Sequence, residues 1–182
     1  MSTGSVLLDA KKIRREIGLR EGDKAADFGA GRTGHFVFPA SQIVGEEGTV
    51  YAVDIVKDVL AMIDGRRKLF GILNMHTVWG DFEREGGVRI KDHTLDWVLV
   101  VNNVWCVKDV GVLAHEIKRV LKPEGKILVV DWSRRADSPA APPKDKRKEA
   151  MEVEARFLQE GIVKDRDLQV NDTHWGVVFR IA

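Results

Sequence analysis

Two acids and two glycines near the amino end are spaced to hold a nucleotide. The run Lys24-Ala-Ala-Asp-Phe-Gly-Ala-Gly-Arg-Thr-Gly-His35 carries an apolar stretch into a glycine loop. Val50-Tyr-Ala-Val-Asp54 then brings a second apolar stretch to an acid. Gly29 and Gly31 permit a sharp turn and the close approach of a ligand to the backbone. Asp54 stands where a carboxylate accepts hydrogen bonds from ribose hydroxyls. A lone Gly-x-Gly-x-x-Gly is a weak signal. A strand before it, a helix after it and an acid at the next strand end make it the opening of a nucleotide-binding βαβ unit. No Gly-Lys-Ser/Thr follows the glycines, which excludes a P-loop.

A second group of residues follows later apolar runs. Asn102, Asn103 and Trp105 come after 94–101, and Asp131 and Trp132 close the run from Lys126. Asp131 is a candidate general base or acceptor anchor, against the plainer reading of an ordinary strand-end acid. Trp105 and Trp132 either wall a pocket for a planar ligand or cover the core. His35 and His174 are weaker candidates, one at a helix start and one opening a strand. Asp131 with Asn102 or Asn103 supplies too few hard ligands for a divalent cation, so no metal is expected.

The elements that must position these residues alternate. Apolar residues at 7, 10, 13 and 17 have helical spacing. Strands are expected over 24–28, 49–53, 75–79, 94–101 and 126–130. The strand over 94–101 is nearly continuously apolar after Trp97, as for a strand covered on both faces. Helices are expected over 36–44, with Pro39 in the first turn, over 57–73, and through Leu113, Ile117, Val120 and Leu121. Lys122-Pro-Glu-Gly125 reads as the turn that ends the last of these. The composition then shifts to a Pro/Ala-rich loop over 133–143, and a charged helix over 144–160 with Met151, Ala155 and Leu158 inward. Trp175, Val177, Phe179 and Ile181 share one face of a last strand over 174–181, with 167–170 as its hairpin partner. This alternation implies an α/β fold with a doubly wound, mostly parallel sheet and right-handed crossovers, in a single domain over 1–182. Ligands of such sheets bind at the carboxyl ends of the strands.

The chain resembles the class I S-adenosylmethionine-dependent methyltransferases. The resemblance is carried by Asp27-Phe-Gly-Ala-Gly-Arg-Thr-Gly34, Val50-Tyr-Ala-Val-Asp54, Gly80-Asp81-Phe82, Leu95-Asp-Trp-Val-Leu-Val-Val101 and Val120-Leu-Lys-Pro-Glu-Gly-Lys-Ile127, in the family's order. Within the family it is most similar to the small ubiquinone- and menaquinone-biosynthesis methyltransferases. The resemblance implies a Rossmann-like seven-stranded sheet ending in an antiparallel strand, and S-adenosyl-L-methionine as cofactor. It implies that Asp27 faces the amino group of the cofactor's methionine part and that Gly29, Ala30 and Gly31 form its cradle. Asp54 with Ile55 would hold the ribose end. Asp81 and Phe82 would meet the adenine, or else be a turn acid and a core aromatic. Asn102 and Asn103 would line the site near the sulfonium, or else cap their strand. One departure is visible: the family's loop is usually Gly-x-Gly-x-Gly, and here Gly34 comes one residue late, either in a bulged loop or serving only the helix start.

The dinucleotide-binding oxidoreductases satisfy the same glycine spacing. Asp27, where they usually carry an apolar residue, and the Leu-Lys-Pro-Glu-Gly turn lean against them. A non-catalytic methyltransferase-like binding subunit is the other alternative. No Asn-Pro-Pro-aromatic motif follows residue 101, which argues against amino-methylation of a nucleobase or glutamine, and a single cysteine argues against multi-thiol arsenic methylation. A small-molecule acceptor is therefore expected, recognised by the first helix, the 133–148 region and the terminal hairpin. The net charge of +1 gives no general attraction to nucleic acid or acidic membranes, and Lys144-Asp-Lys-Arg-Lys148 reads as a solvated helix start. The lone Cys106 allows no internal disulfide, no apolar run reaches membrane-spanning length and no cleavable signal pattern opens the chain, so the cytoplasm is the expected compartment.

Overall fold

A computed structural model describes residues 17–182. The helix expected over 7–17 lies, apart from Ile17, outside them. Strands β1 (Lys24–Phe28), β2 (Thr49–Asp54), β3 (Met75–Trp79), β4 (Leu95–Val101), β5 (Leu121–Trp132), β6 (Ile162–Asn171) and β7 (His174–Ile181) form one sheet in the order β3-β2-β1-β4-β5-β7-β6. β1 to β5 pair in parallel, and β7 runs antiparallel to both β5 and β6. The doubly wound dinucleotide fold has the order 3-2-1-4-5-6. The insertion of β7 between β5 and β6 departs from it.

Alternation along the central strands supplies both faces. Trp97, Leu99 and Val101 of β4 pack on one side with Val37, Ala40 and Val44 of α1 (Val37–Val44) and Val59 and Ile63 of α2 (Lys57–Leu69). Val98 and Val100 pack on the other with Leu113, Ile117 and Val120 of α3 (Val110–Val120) and Val153 and Phe157 of α4 (Ala150–Gln159). Trp175, Val177, Phe179 and Ile181 lie on this second side, as their period-two spacing requires.

Several boundaries differ from expectation, each for a local reason. α2 stops at Leu69 because Gly71 takes a left-handed φ of 65°, while the amides of Phe70, Gly71 and Ile72 bond back to Arg66, Lys68 and Arg67. Lys122-Pro-Glu-Gly125 is an excursion within β5. The ladder passes from Leu95–Leu121 to Trp97–Lys126, so the extra residues bulge out. The hairpin partner of the last strand spans all of β6. The charged helix over 144–160 is instead a 3-10 turn, Lys144–Lys146, followed by α4, whose start is fixed by a reciprocal Glu149–Glu152 capping box. Its inward residues are Val153 and Phe157. Met151, Ala155 and Leu158 face outward, because Phe157 is drawn onto Phe179 with ring centroids 4.9 Å apart. Nor is the Lys144–Lys148 cluster simply solvated, for Arg147 is buried. Among the described residues no helix is long and apolar enough to cross a membrane.

Candidate functional site

The glycine loop leaves β1 at Phe28 and bends beneath the end of β2. The amides of Gly29 and Ala30 both donate to the Val53 carbonyl, at 2.8 and 3.0 Å. Gly31 N–H donates to Asp54 Oδ2 at 3.2 Å, and Asp54 Oδ1 accepts from Val56 N–H at 2.9 Å. One carboxylate therefore ties the loop to the end of the neighbouring strand. Gly29 has a φ of 87°, and a Cβ there would fall on the Asn103 amide group. Its need for glycine comes at least in part from that packing. Gly34 belongs to the helix start: its carbonyl accepts from Phe38 N–H at 3.2 Å, and its N–H donates to Gly31 O at 3.1 Å.

The end of β4 forms the facing wall. Asn103 Nδ2 donates to the carbonyls of Phe28, Gly29 and Val101 at 3.1, 3.0 and 2.7 Å, stitching β1 to β4. Asn102 has a φ of 57°, a left-handed conformation that asparagine tolerates. Its carbonyl accepts from Trp105 Nε1 at 2.9 Å, while its own Oδ1 is buried without a hydrogen-bond partner. A turn over Val104–Cys106 presents Trp105.

These elements enclose a cavity of about 400 Å³. Asp27, Gly29, Ala30, Gly31 and Asp54 line it from the ends of β1 and β2, and Asn102 and Asn103 from the end of β4. Trp105, Trp132, Ala140 and Pro142 line it from the later strands and the 133–143 loop, and Thr33, His35, Phe36 and Val101 complete it. Asp27 is 2% exposed, and its Oδ1 has no partner. Burial first, and the Asp54 charge second, push its carboxyl up to about 7.

Five expected site residues stand outside this wall. Asp131 lies behind it, 1% exposed, with Oδ2 accepting from Trp105 N–H at 3.1 Å and Oδ1 from Trp132 N–H at 2.7 Å. Burial lifts its carboxyl to about 6 against the pull of these amides. Asp81 caps its own turn through Glu83 N–H at 2.9 Å, and Phe82 stacks on Phe28 with centroids 5.5 Å apart. Ile55 is exposed, its carbonyl accepting from Trp79 Nε1. His174 opens β7 with its ring 4.1 Å from that of Trp132, and burial lowers it to about 4. Ala140 and Pro142 carry no individual signal in the sequence, although the composition shift at 133–143 marks their loop. The cavity wall of Thr33, Phe36 and Val101 carried no comparable signal.

The chain matches a family described as a methyltransferase domain over residues 19–174. It belongs to the methyltransferase-domain family. Within that family it is of the class I S-adenosylmethionine-dependent type that its motifs resemble. The chain is 30% identical over 123 residues to the demethylmenaquinone methyltransferase of Staphylococcus aureus, an overlap of 68% of this chain and 48% of that protein. It therefore spans about half the length of the curated relatives it matches. Its structure is similar to that of a SAM-dependent methyltransferase from Aquifex aeolicus, with 26% identity, a TM-score of 0.88, and coverage of 97% of this chain and 91% of that one. The fold also matches a geranyl diphosphate methyltransferase solved in complex with SAM, at 13% identity and a TM-score of 0.73, covering 95% and 84% of the two chains.

Proposed function

We propose that this chain, acting as a single domain, transfers a methyl group from S-adenosylmethionine to a small-molecule acceptor. The observation that carries this reading is the unpaired, buried Oδ1 of Asp27, a residue that lines the same cavity as Asp54 and the glycine loop. A buried acceptor atom without a partner is costly unless a ligand completes it, and the cofactor's ammonium is such a partner. When bound, the cofactor supplies a methyl group on a positively charged sulfur.

The remaining work falls to this chain's residues. Ionised Asp27 holds the ammonium, and Asp54 accepts from the ribose hydroxyls. Ile55, Asp81 and Phe82 border the adenine end. This placement is supported by the hydrogen bond from Gly80 N–H to Asp54 O at 3.3 Å, which draws that segment toward the ribose acid. Asn103 fixes the distance between the two walls, and the Asn102 Oδ1 offers a further acceptor inside the cavity. Trp105 and Trp132 exclude water and orient the acceptor, and such orientation lowers a barrier by as much as roughly 7–11 kcal/mol. Asp131 acts through the Trp105 and Trp132 amides that it holds, and shapes the acceptor wall. The free thiol of Cys106 suits a reducing compartment, and we place the protein in the cytoplasm.

The test is incorporation of labelled methyl from S-adenosylmethionine into a cell extract fractionated by size. Label in the low-mass fraction is the expected result. Label confined to RNA or protein overturns the small-molecule acceptor, and a protein that binds cofactor yet labels nothing favours the non-catalytic subunit.

A further inference from the structure

Two neighbouring cations fasten the segments that bring Trp105, Ala140 and Pro142 to the cavity wall. Lys148 Nζ donates to the carbonyls of Val104, Trp105 and Val107 at 3.1, 3.4 and 2.8 Å. These carbonyls belong to the turn that presents Trp105 and to the residue that follows it. The lysine's own carbonyl accepts from Trp175 Nε1 at 2.9 Å, so β7 holds its backbone. Arg147 is 4% exposed. Its Nε donates to Pro142 O at 2.7 Å, and its Nη1 to Ser133 O at 3.1 Å and Ala136 O at 2.8 Å. Those carbonyls bracket the loop that places Ala140 and Pro142 in the wall.

Burying a guanidinium is costly, and an ordinary surface loop needs no such bolt. Hydrogen bonds from charged donors are about twice as strong as neutral ones, so the pair holds both segments firmly. It also satisfies the carbonyls of Val104, Trp105, Val107, Ser133, Ala136 and Pro142 away from any ligand. The wall is left to present indole, methyl and pyrrolidine surface.

We infer that Arg147 and Lys148 are positioning residues that set acceptor specificity, shaping from Trp105, Trp132, Ala140 and Pro142 a chamber for a neutral, apolar acceptor. This rests on the methyl-transfer reading above. Neither residue lines the cavity, and none of the six carbonyls they hold belongs to the glycine loop, so changing them is expected to affect transfer more than cofactor binding.

The experiment compares wild type with Lys148→Met, Arg147→Met and the conservative Lys148→Arg. Calorimetry measures S-adenosylhomocysteine affinity. Label transfer at saturating S-adenosylmethionine is followed against increasing amounts of the low-mass fraction of a cell extract. Each methionine variant is expected to raise the half-saturating amount of that fraction by about tenfold, as for the loss of a charged hydrogen bond, with cofactor-product affinity changed by less than about threefold. Lys148→Arg, which keeps its donors, is expected to recover most of the loss. Unchanged half-saturation in both methionine variants overturns the inference, as does a fall in S-adenosylhomocysteine affinity that parallels the loss of transfer. Where a methionine variant does not fold, Arg147→Lys, which keeps the charge but loses the fork, must show the same split at smaller amplitude, and the absence of a split overturns the inference. A wild type that neither binds S-adenosylhomocysteine nor transfers label removes the methyl-transfer reading and this inference together. A wild type that does both beside indifferent variants removes this inference alone.

Discussion

Asp27 gives up stability for binding. Its folded pKa of about 7 lies above the 3.8 of an ordinary aspartate, so between these values the folded state holds a proton that the unfolded state has lost. Stability from this group is fully present below about pH 4 and is lost as pH rises to about 7. Asp27→Asn should therefore stabilise the ligand-free protein more at pH 8 than at pH 5, by about 2 kcal/mol between the two. Chemical denaturation at both values checks this, and an equal shift at both would contradict it. His174 works in the opposite direction. Its pKa is lowered to about 4, so its contribution is present above pH 6.5 and is lost as pH falls toward 4. An ammonium ligand needs ionised Asp27, so S-adenosylhomocysteine affinity should climb between pH 5 and 7, by up to about tenfold per unit, and level off above. In Asp27→Asn the affinity should be weak and flat over the same range. Asp54→Ala should weaken cofactor binding by about 1.5–3 kcal/mol, the worth of a hydrogen bond to a charged group. Asp131→Ala should instead reduce transfer with little change in cofactor affinity, because its oxygens are already taken by Trp105 and Trp132 amides. Equal losses of cofactor affinity in the two variants would show that one of these roles is misassigned.

At the scale of elements, the glycine loop and the β4 turn are one unit joined by Asn103. Gly29→Ala meets two penalties: a left-handed φ, which costs a non-glycine residue roughly 1–2 kcal/mol, and a methyl group driven into the Asn103 amide. Gly22 has a φ of 84° with nothing within 4 Å of an added Cβ, so Gly22→Ala bears only the first. Gly29→Ala should lower the melting temperature further than Gly22→Ala and should also weaken S-adenosylhomocysteine binding. Equal melting shifts would mean that Asn103 moves aside freely. The loop, its strands and the acid at 54 were legible in the sequence because local spacing alone specifies a strand, a turn and a helix start. The inward face of α4 was not. Met151, Ala155 and Leu158 have respectable helical spacing, but Val153 and Phe157 have it too, and the choice was made by Phe179 from a distant strand. The same limit hid Arg147 and Lys148. A run of charges in sequence reads as solvated, and only the folded chain brings six distant carbonyls onto two of its members. The strand-end position of Asp131 is legible in the sequence, yet which way its carboxylate turns depends on the Trp105 and Trp132 amides.

Across the whole molecule, the sheet order separates the competing readings. An antiparallel β7 between β5 and β6 departs from the all-parallel dinucleotide order, while the whole fold matches the Aquifex aeolicus methyltransferase with a TM-score of 0.88. The carboxyl edge of this sheet carries the unpaired Asp27 oxygen, Asp54 and the aromatic wall together. A ligand that binds only the folded state stabilises it by mass action, by about 2.7 kcal/mol at one hundred times its Kd. Saturating S-adenosylhomocysteine should therefore raise the melting temperature, with the same dependence on Asp27 and Asp54 as direct binding. The most direct test of the central claim is calorimetric titration of the wild-type protein with S-adenosylhomocysteine and, separately, with NAD. One-site binding of S-adenosylhomocysteine in the micromolar range, with no heat from NAD, is the predicted result. No heat and no thermal shift at millimolar S-adenosylhomocysteine, or saturable binding of NAD in its place, would contradict it.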